Sequence, residues 1–300
     1  MTQILAVLTQ EYVLVASDRR LTFVSGPRKG ETADDNTCKL VSLCGAWGIA
    51  YTGFSELQGL PTHHWIAVRL AENGCRNSYV AAQILADAAA PALKAAPFLL
   101  ELTFLVAGWT RVADKQTVQP HFLLISNMYD PNGKGRATPG SDFHRFERIL
   151  ETEEVYASRV IGQPLPKGRG RDLDRLLRRL LKRGEGPKSA MQAFVREIVN
   201  ASRPGGTVGQ RVLAFSIPKG AAERTLHTGH SMVLAMEPDL HNAAFCYFDP
   251  AYSQLHQYGP TFTCGECALT DVETEDDPTG DYQSSSVKYL HLPPRGLTSA

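Results

Sequence analysis

Thr2 stands directly behind the initiator methionine, and a threonine there carries two reactive groups on one residue. Met1 before so small a residue is a substrate for methionine aminopeptidase, so Thr2 is expected to become the first residue of the mature chain. An N-terminal threonine offers its hydroxyl as a nucleophile and its own α-amine as a base. The free amine has an ordinary pKa of about 7.7–8.0, so a fraction is neutral near pH 7 and accepts the hydroxyl proton. That chemistry needs a carboxylate to orient the amine and a cation to keep the hydroxyl side electropositive. Asp18, opening a turn after the second apolar run, and Lys39, opening the third, are the candidates. Taken alone, a threonine after methionine signifies little, because any small residue behind a start codon gives the same pattern.

The elements that must position these residues are short strands. Ile4 to Leu8 and Tyr12 to Ala16 alternate around a turn near Thr9–Glu11, and the absence of a basic region before them argues against a signal peptide. Lys39 to Leu43 and Trp47 to Tyr51 predict two further strands. A helical region runs from about Ser55 to Ala71, disturbed at its start by Gly59 and Pro61, and Ser78 to Ala96 carries Val80, Ile84, Leu85 and Ala88 at helical spacing. Leu102 to Trp109 and His121 to Asn127 predict a pair of long buried strands, and Pro131 to Ser141 a loop. Leucines 173, 176, 177, 180 and 181 form one helical stripe, and Met191, Phe194, Val195 and Ile198 another. Gly205-Gly206-Thr207 then turns the chain into a strand from Arg211 to Ile217. This order predicts an α+β sandwich with helices on the outer faces of two antiparallel sheets. From about Lys219 the helical periodicity fades, and residues 219–300 are expected to form a C-terminal extension beside a domain of residues 2–218.

The bulk composition sets limits. The chain has 300 residues, 43% hydrophobic and 21% charged, an ordinary globular balance that rules out disorder. Lys plus Arg and Asp plus Glu are both 31, so a globally basic nucleic-acid binder is not expected. No apolar run is long enough to span a membrane. Six cysteines are too few for a disulfide-built secreted module, and the chain is expected in the cytoplasm with reduced thiols.

Four segments fall in order at compatible spacing: Thr2-Gln-Ile-Leu-Ala-Val, Val13 through Asp18-Arg-Arg20-Leu-Thr22, Lys39-Leu, and Ile49-Ala-Tyr51-Thr-Gly53. Together they resemble the proteasome β-subunit family, including the bacterial HslV peptidases, over roughly residues 2–218. The resemblance implies a four-layer αββα sandwich of the N-terminal nucleophile hydrolase type. It implies Thr2 as nucleophile, Asp18 and Lys39 as the charged groups around it, and the Gly53 N–H as the oxyanion donor. Thr22, with Arg20 beside it, matches the segment that pairs with a peptide substrate, and Tyr51 the position that shapes the specificity pocket. No propeptide is expected. The implied function is a self-compartmentalising threonine peptidase without cofactor or metal. Its substrate is a peptide or unfolded protein, its assembly a homo-oligomer, and an ATP-dependent unfoldase is an allowed partner. No membrane or nucleic-acid partner is expected.

Two departures favour an alternative, a proteasome-like scaffold or binding subunit with weak catalysis or none. Gln163 stands in Ile161-Gly-Gln-Pro164 where the family carries a serine, and Asn200 to Gly206 offers Ser202 but no aspartate. Other motifs are weaker. His227, His230, Cys264 and Cys267 could close a tetrahedral zinc site, but the order of the pairs is unusual and no second CxxC exists, so exposed turns are expected instead. Gly229-His230-Ser231 lacks the last glycine of a hydrolase elbow, and Pro204 to Gly209 lacks the lysine of a phosphate loop. The basic run from Lys167 to Arg183 reads as the solvated face of an amphipathic helix, or as a face covered by the acidic 271–281 stretch or a neighbouring subunit.

Overall fold

The structure is a computed structural model and describes residues 2–23, 27–34, 37–43, 47–73, 77–94, 101–111, 117–203, 206–220, 222, 232–236, 245–249, 254–258, 267–268 and 288–291. It opens with strand β1 (Gln3–Thr9) and β2 (Tyr12–Asp18). Their turn is closed by Thr9, whose Oγ1 accepts from the N–H of Tyr12 at 2.8 Å and of Glu11 at 3.2 Å. A side chain that satisfies turn donors in this way fixes the hairpin locally. Ribbon β3 (Leu21–Thr22) and β4 (Thr32–Asp34) follows, then β5 (Leu40–Leu43), β6 (Trp47–Thr52) and a small hairpin, β7 (Glu56–Leu57) with β8 (Leu60–Pro61). Helices α1 (Thr62–Glu72) and α2 (Ser78–Lys94) lead to the long pair β9 (Thr103–Arg111) and β10 (Val118–Ser126). After β11 (His144–Ile149) and β12 (Tyr156–Gly162) come α3 (Arg169–Lys182), α4 (Pro187–Ala201) and β13 (Val212–Pro218). Beyond them lie β14 (Met232–Met236), β15 (Phe245–Asp249), β16 (Gln254–Tyr258), β17 (Cys267–Ala268) and β18 (Lys288–His291).

The strands build two large sheets, in the orders β12-β1-β2-β13-β14-β17 and β11-β10-β9-β6-β5-β15-β16-β18. Every pairing among the described strands is antiparallel except β5 with β15. The molecule is therefore mixed α/β and largely sheet. The division at 218/219 follows a change of composition, and hydrogen-bonded pairing runs across it, since β14 joins β13 and β15 joins β5.

β1 and β2 are buried on both faces, which is why their sequences are nearly continuous apolar runs. Ile4, Ala6, Leu8, Val13 and Val15 pack into a core shared with β5, β6, β9 and β10. The alternate residues Leu5, Val7, Leu14 and Ala16 pack with Leu173 and Leu177 of α3 and Met191, Phe194 and Ile198 of α4. Each such side chain taken from water contributes roughly 1.5–3 kcal/mol. The Trp109 indole reaches from β9 to donate to the Ile217 carbonyl of β13 at 2.9 Å, a polar tie between the sheets. On α3 the leucines face inward, while Arg171, Arg175, Arg178 and Arg179 are exposed. Arg178 and Arg175 pair with Asp174 at 3.1 Å and Asp172 at 3.6 Å.

Two elements differ from expectation. The helix expected from Ser55 begins only at Thr62, because the Gly59–Pro61 segment folds back as β8 and the Thr62 hydroxyl donates to the Phe54 carbonyl at 2.7 Å. β11 and β12 carry no clear period in the sequence, because both are edge strands with exposed charged positions. β12 nonetheless pairs with the whole of β1 and ends at Gly162, beside the start of the chain.

At Gly48 of β6 the backbone of one sheet lies directly against a side chain of the other. A Cβ built there lies 1.6 Å from Phe215 Cζ of β13, and Phe215 is 1% exposed with no room to withdraw. Gly48→Val is expected to destabilise the fold by about 3 kcal/mol or more through overpacking. Phe215→Ala in the same chain is expected to recover part of the loss. Urea denaturation of the three variants checks this, and independent, additive losses would contradict the contact.

Candidate functional site

The Asp18 carboxylate is wholly buried at the end of β2 and is surrounded by donors from four parts of the chain. Its Oδ1 accepts from the Gln3 N–H at 2.8 Å. Its Oδ2 accepts from the Arg20 N–H at 3.0 Å, the Gly209 N–H at 3.1 Å and the Lys39 ammonium at 3.3 Å. Lys39 is 1% exposed and donates also to the Arg20 carbonyl. Three backbone N–H groups and one ammonium thus replace the hydrogen bonds that this carboxylate gives up with its water.

Thr2 lies one residue from this cluster, because β1 and β2 pair Ile4 with Ser17 and so set Gln3 beside Asp18. The register of β1 with β12 sets Gln3 opposite Gly162, and the Gln163 N–H donates to the Thr2 carbonyl at 2.8 Å. Gly162 has φ +77°, and a Cβ there would lie 2.0 Å from the Thr2 carbonyl oxygen and 3.3 Å from Thr52 Oγ1. Only a residue without a side chain lets the start of β1, the end of β12 and the end of β6 converge. Gly53 follows Thr52 with φ +116°, and a Cβ there would sit 2.0 Å from the Glu101 carbonyl oxygen. The start of the chain in one sheet thus meets the Thr52–Gly53 end of β6 in the other.

The structure brings Thr2, Asp18 and Lys39 into one region and sets Gly53 across the seam. Arg20 is half-buried and donates to the Gly206 carbonyl at 3.1 Å. Thr22 sits in the β3–β4 ribbon opposite Thr32. Tyr51, expected to shape a pocket, is instead 1% exposed, and its hydroxyl donates to the Cys38 carbonyl at 2.9 Å. It points into the core, as a strand residue two before Gly53 does once both sheet faces are covered. Ser202 ends α4, and its hydroxyl oxygen is buried without a partner among the described residues.

Sequence reading missed Thr52 and Glu101. Thr52 is 1% exposed, and its hydroxyl has no hydrogen-bond partner among the described residues. A polar residue closing the apolar Trp47–Tyr51 run was the available signal. Burial pushes the Glu101 carboxyl above the usual carboxylate range, and the positive charge at the start of the chain pulls it back. A second cluster lies at the other end of the large sheet, where His121 is fully buried with Nδ1 3.7 Å from Glu147 Oε1, and Tyr79 hydrogen-bonds that carboxylate. Among the described residues no group of three or more His, Cys, Asp and Glu side chains gathers at ion-binding range. His227, His230, Ser231 and Cys264, and the acidic 271–281 stretch, lie outside the described residues. Among the described residues no helix is long and apolar enough to cross a membrane.

No family model matches the chain, and no curated protein matches it. Among solved structures, an Anbu mutant from Hyphomicrobium sp. strain MC1 is similar over 72% of this chain and 80% of its own, at 16% identity and a TM-score of 0.43. A likeness at that level decides neither fold nor activity. Membership of the proteasome β-subunit and HslV family, which the motif series suggests, is therefore not upheld. Four short segments at compatible spacing are what paired strands with a charged turn produce, and they do not by themselves establish descent.

The Asp18 cluster predicts unequal consequences for its two charges. Asp18→Ala leaves an ammonium and three buried N–H groups without their acceptor and is expected to cost about 3–5 kcal/mol. Lys39→Met removes one donor of four and keeps an apolar stem of similar length, so its cost is expected to be less than half of that. Equal losses in chemical denaturation would contradict the geometry.

Proposed function

We propose that the chain is a hydrolase whose nucleophile is the hydroxyl of Thr2, freed as the first residue by removal of Met1. The observation that carries the reading is the buried Asp18–Lys39 pair tied to the first residue of β1 by the Gln3 N–H. A buried ion pair is a poor device for stability alone, because desolvation offsets most of its attraction. Its placement beside a threonine that can bear a free amine is what acyl-transfer chemistry uses.

In this mechanism the Thr2 hydroxyl attacks a peptide or amide carbonyl while its proton passes to the α-amine, directly or through one water. Lys39 favours the developing alkoxide, and Asp18 fixes Lys39. The Gly53 N–H is assigned to the oxyanion of the tetrahedral intermediate, a type of contact worth about 3 kcal/mol. The C–N bond then breaks, the leaving amine takes the proton, and water hydrolyses the ester on Thr2. Peptide or unfolded protein is the substrate class proposed, with Arg20 and Thr22 of the β3 ribbon beside it and Tyr51 behind it. Self-association, an ATP-driven unfoldase partner, a cytoplasmic location and a boundary between residues 2–218 and 219–300 belong to the same proposal. So does a layer order of helices, sheet, sheet, helices, supported by the two-sided packing of β1 and β2.

A second reading is a scaffold or binding subunit without turnover. It is favoured by the burial of Thr2, which is 5% exposed. The two readings separate experimentally. The N-terminal peptide of the purified chain is expected to begin at Thr2 by mass, and a retained Met1 overturns the hydrolase reading. A peptide epoxyketone or boronate is expected to modify Thr2 alone. Thr2→Ala and Lys39→Ala are expected to lose labelling and peptide hydrolysis at least a hundredfold, and Thr2→Ser to keep part of both. Absence of labelling and of hydrolysis in a chain that begins at Thr2 selects the scaffold reading. Sedimentation is expected to show a species larger than the 32.9 kDa chain.

A further inference from the structure

β11 and β12 are edge strands of the two large sheets, and a cavity of about 280 Å³ is lined by residues of both together with β9 and β10. Ligand sites run from roughly 300 to 1,000 Å³, so a space of this size suits a small molecule. Its apolar floor follows from strand register. Leu105, Leu124 and Phe146 stand opposite one another across three strands, and Phe122 shares their face two residues before Leu124. Leu105, Phe122 and Leu124 are buried, and Phe146 is half-buried. The facing wall is β12. There Ala157 packs against the core between the sheets and Ile161 belongs to it, so Arg159, midway between them, stands on the same face of the strand. Arg159 is exposed and lines the cavity.

The charges around this cavity differ in what already holds them. Arg148 is paired with Glu154, and Glu147 accepts from the Tyr79 hydroxyl and lies 3.7 Å from His121. Arg159 meets no carboxylate among the described residues. Its guanidinium carbon lies 6.0 Å from the centre of the Tyr129 ring, and that ring packs edge-on against Phe146 at 5.6 Å. A charge on the inner face of an edge strand can serve to block edge-to-edge pairing. That purpose needs no apolar cavity beside it. We propose that the cavity binds a small amphipathic monoanion, a monocarboxylate with a short aliphatic chain. Its carboxylate pairs with Arg159, and its chain lies against Phe122, Leu124 and Phe146. One unengaged cation matches one negative charge, and the planar guanidinium matches the two oxygens of a carboxylate. The site shares no residue with the Asp18 cluster, so it stands whether or not Thr2 is a nucleophile.

Calorimetric titration of the full chain with butyrate, hexanoate and octanoate tests the site, with hexanol as the neutral control. One carboxylate is expected per chain, bound about fourfold more tightly for each added methylene until the cavity is full. Arg159→Met keeps an apolar stem and removes the charge. It is expected to weaken hexanoate at least tenfold and to leave hexanol within about twofold. Arg159→Lys is expected to recover part of the loss, because an ammonium lacks the planar fork. Ala157→Leu, which adds volume at the β12 wall, is expected to weaken hexanoate and hexanol alike. Arg159 is exposed, so Arg159→Met is expected to keep the wild-type melting temperature without ligand, and added hexanoate to raise that of wild type far more than that of the variant. Equal hexanoate affinity in wild type and Arg159→Met overturns the site. So does the absence of both heat and a melting-temperature shift in wild type with millimolar octanoate. Self-association of Arg159→Met with hexanoate binding unchanged overturns it as well and assigns Arg159 to edge protection instead.

Discussion

The Asp18 carboxylate is the constraint on which the rest of the site depends. It joins the N–H of Gln3 at the start of β1, the N–H of Arg20 leading to β3, the ammonium of Lys39 ahead of β5 and the N–H of Gly209 ahead of β13. Four segments far apart in sequence thus converge on two oxygens. Charge-assisted hydrogen bonds in a water-free environment are strong when complete and unfavourable when broken, so the cluster admits one geometry. That geometry fixes where the chain begins and which way it enters the sheet. Lys39 gains a buried charge partner from the same arrangement, and the chemical asymmetry around Thr2 follows from it.

A second constraint is close backbone approach. β1 and β2 are covered on both faces, so the sheets pack through alternate side chains with little tolerance for extra volume. Gly48 against Phe215 sets the spacing in the middle of the interface. At the end where Thr2 lies, Gly162 and Gly53 instead let neighbouring chain segments of one sheet close up, each standing where a Cβ would strike a carbonyl oxygen, and Thr52 Oγ1 of the other sheet lies 3.3 Å from a Cβ built at Gly162. The Thr2 carbonyl and the Thr52 hydroxyl both lie against Gly162 there.

Stability and chemistry pull in different directions along this seam. The Trp109 and Tyr51 side chains, each hydrogen-bonded to a carbonyl, close the core beside it. Thr52 and Glu101 do the opposite, since one holds an unpartnered hydroxyl and the other a carboxyl disfavoured by burial. Residues that weaken a fold locally mark the places where a fold serves another purpose. The His121–Glu147–Tyr79 group at the far end of the large sheet is better satisfied on its carboxylate and sits under α2, where it holds helix to sheet.

The sequence by itself determined the strands whose surroundings are uniform. The continuous apolar runs of β1 and β2, the leucine stripe of α3 and the inward face of α4 are legible because each is a repeat imposed by one kind of contact. The pairing of Asp18 with Lys39 close to the start of β1 was also legible, as a carboxylate at the end of one apolar run and an ammonium opening the next. Their ordered spacing suggested a lineage that similarity does not uphold, because spacing reports strand pairing and not descent. The edge strands β11 and β12 were not legible, since half of each faces solvent and their alternation dissolves into charged residues. Tertiary structure alone decided that Tyr51 turns inward and that Thr52 meets the start of β1 across Gly162. Those placements depend on register between β6 and β9 and on the distance between two sheets, quantities set by residues remote in sequence and invisible to any local pattern.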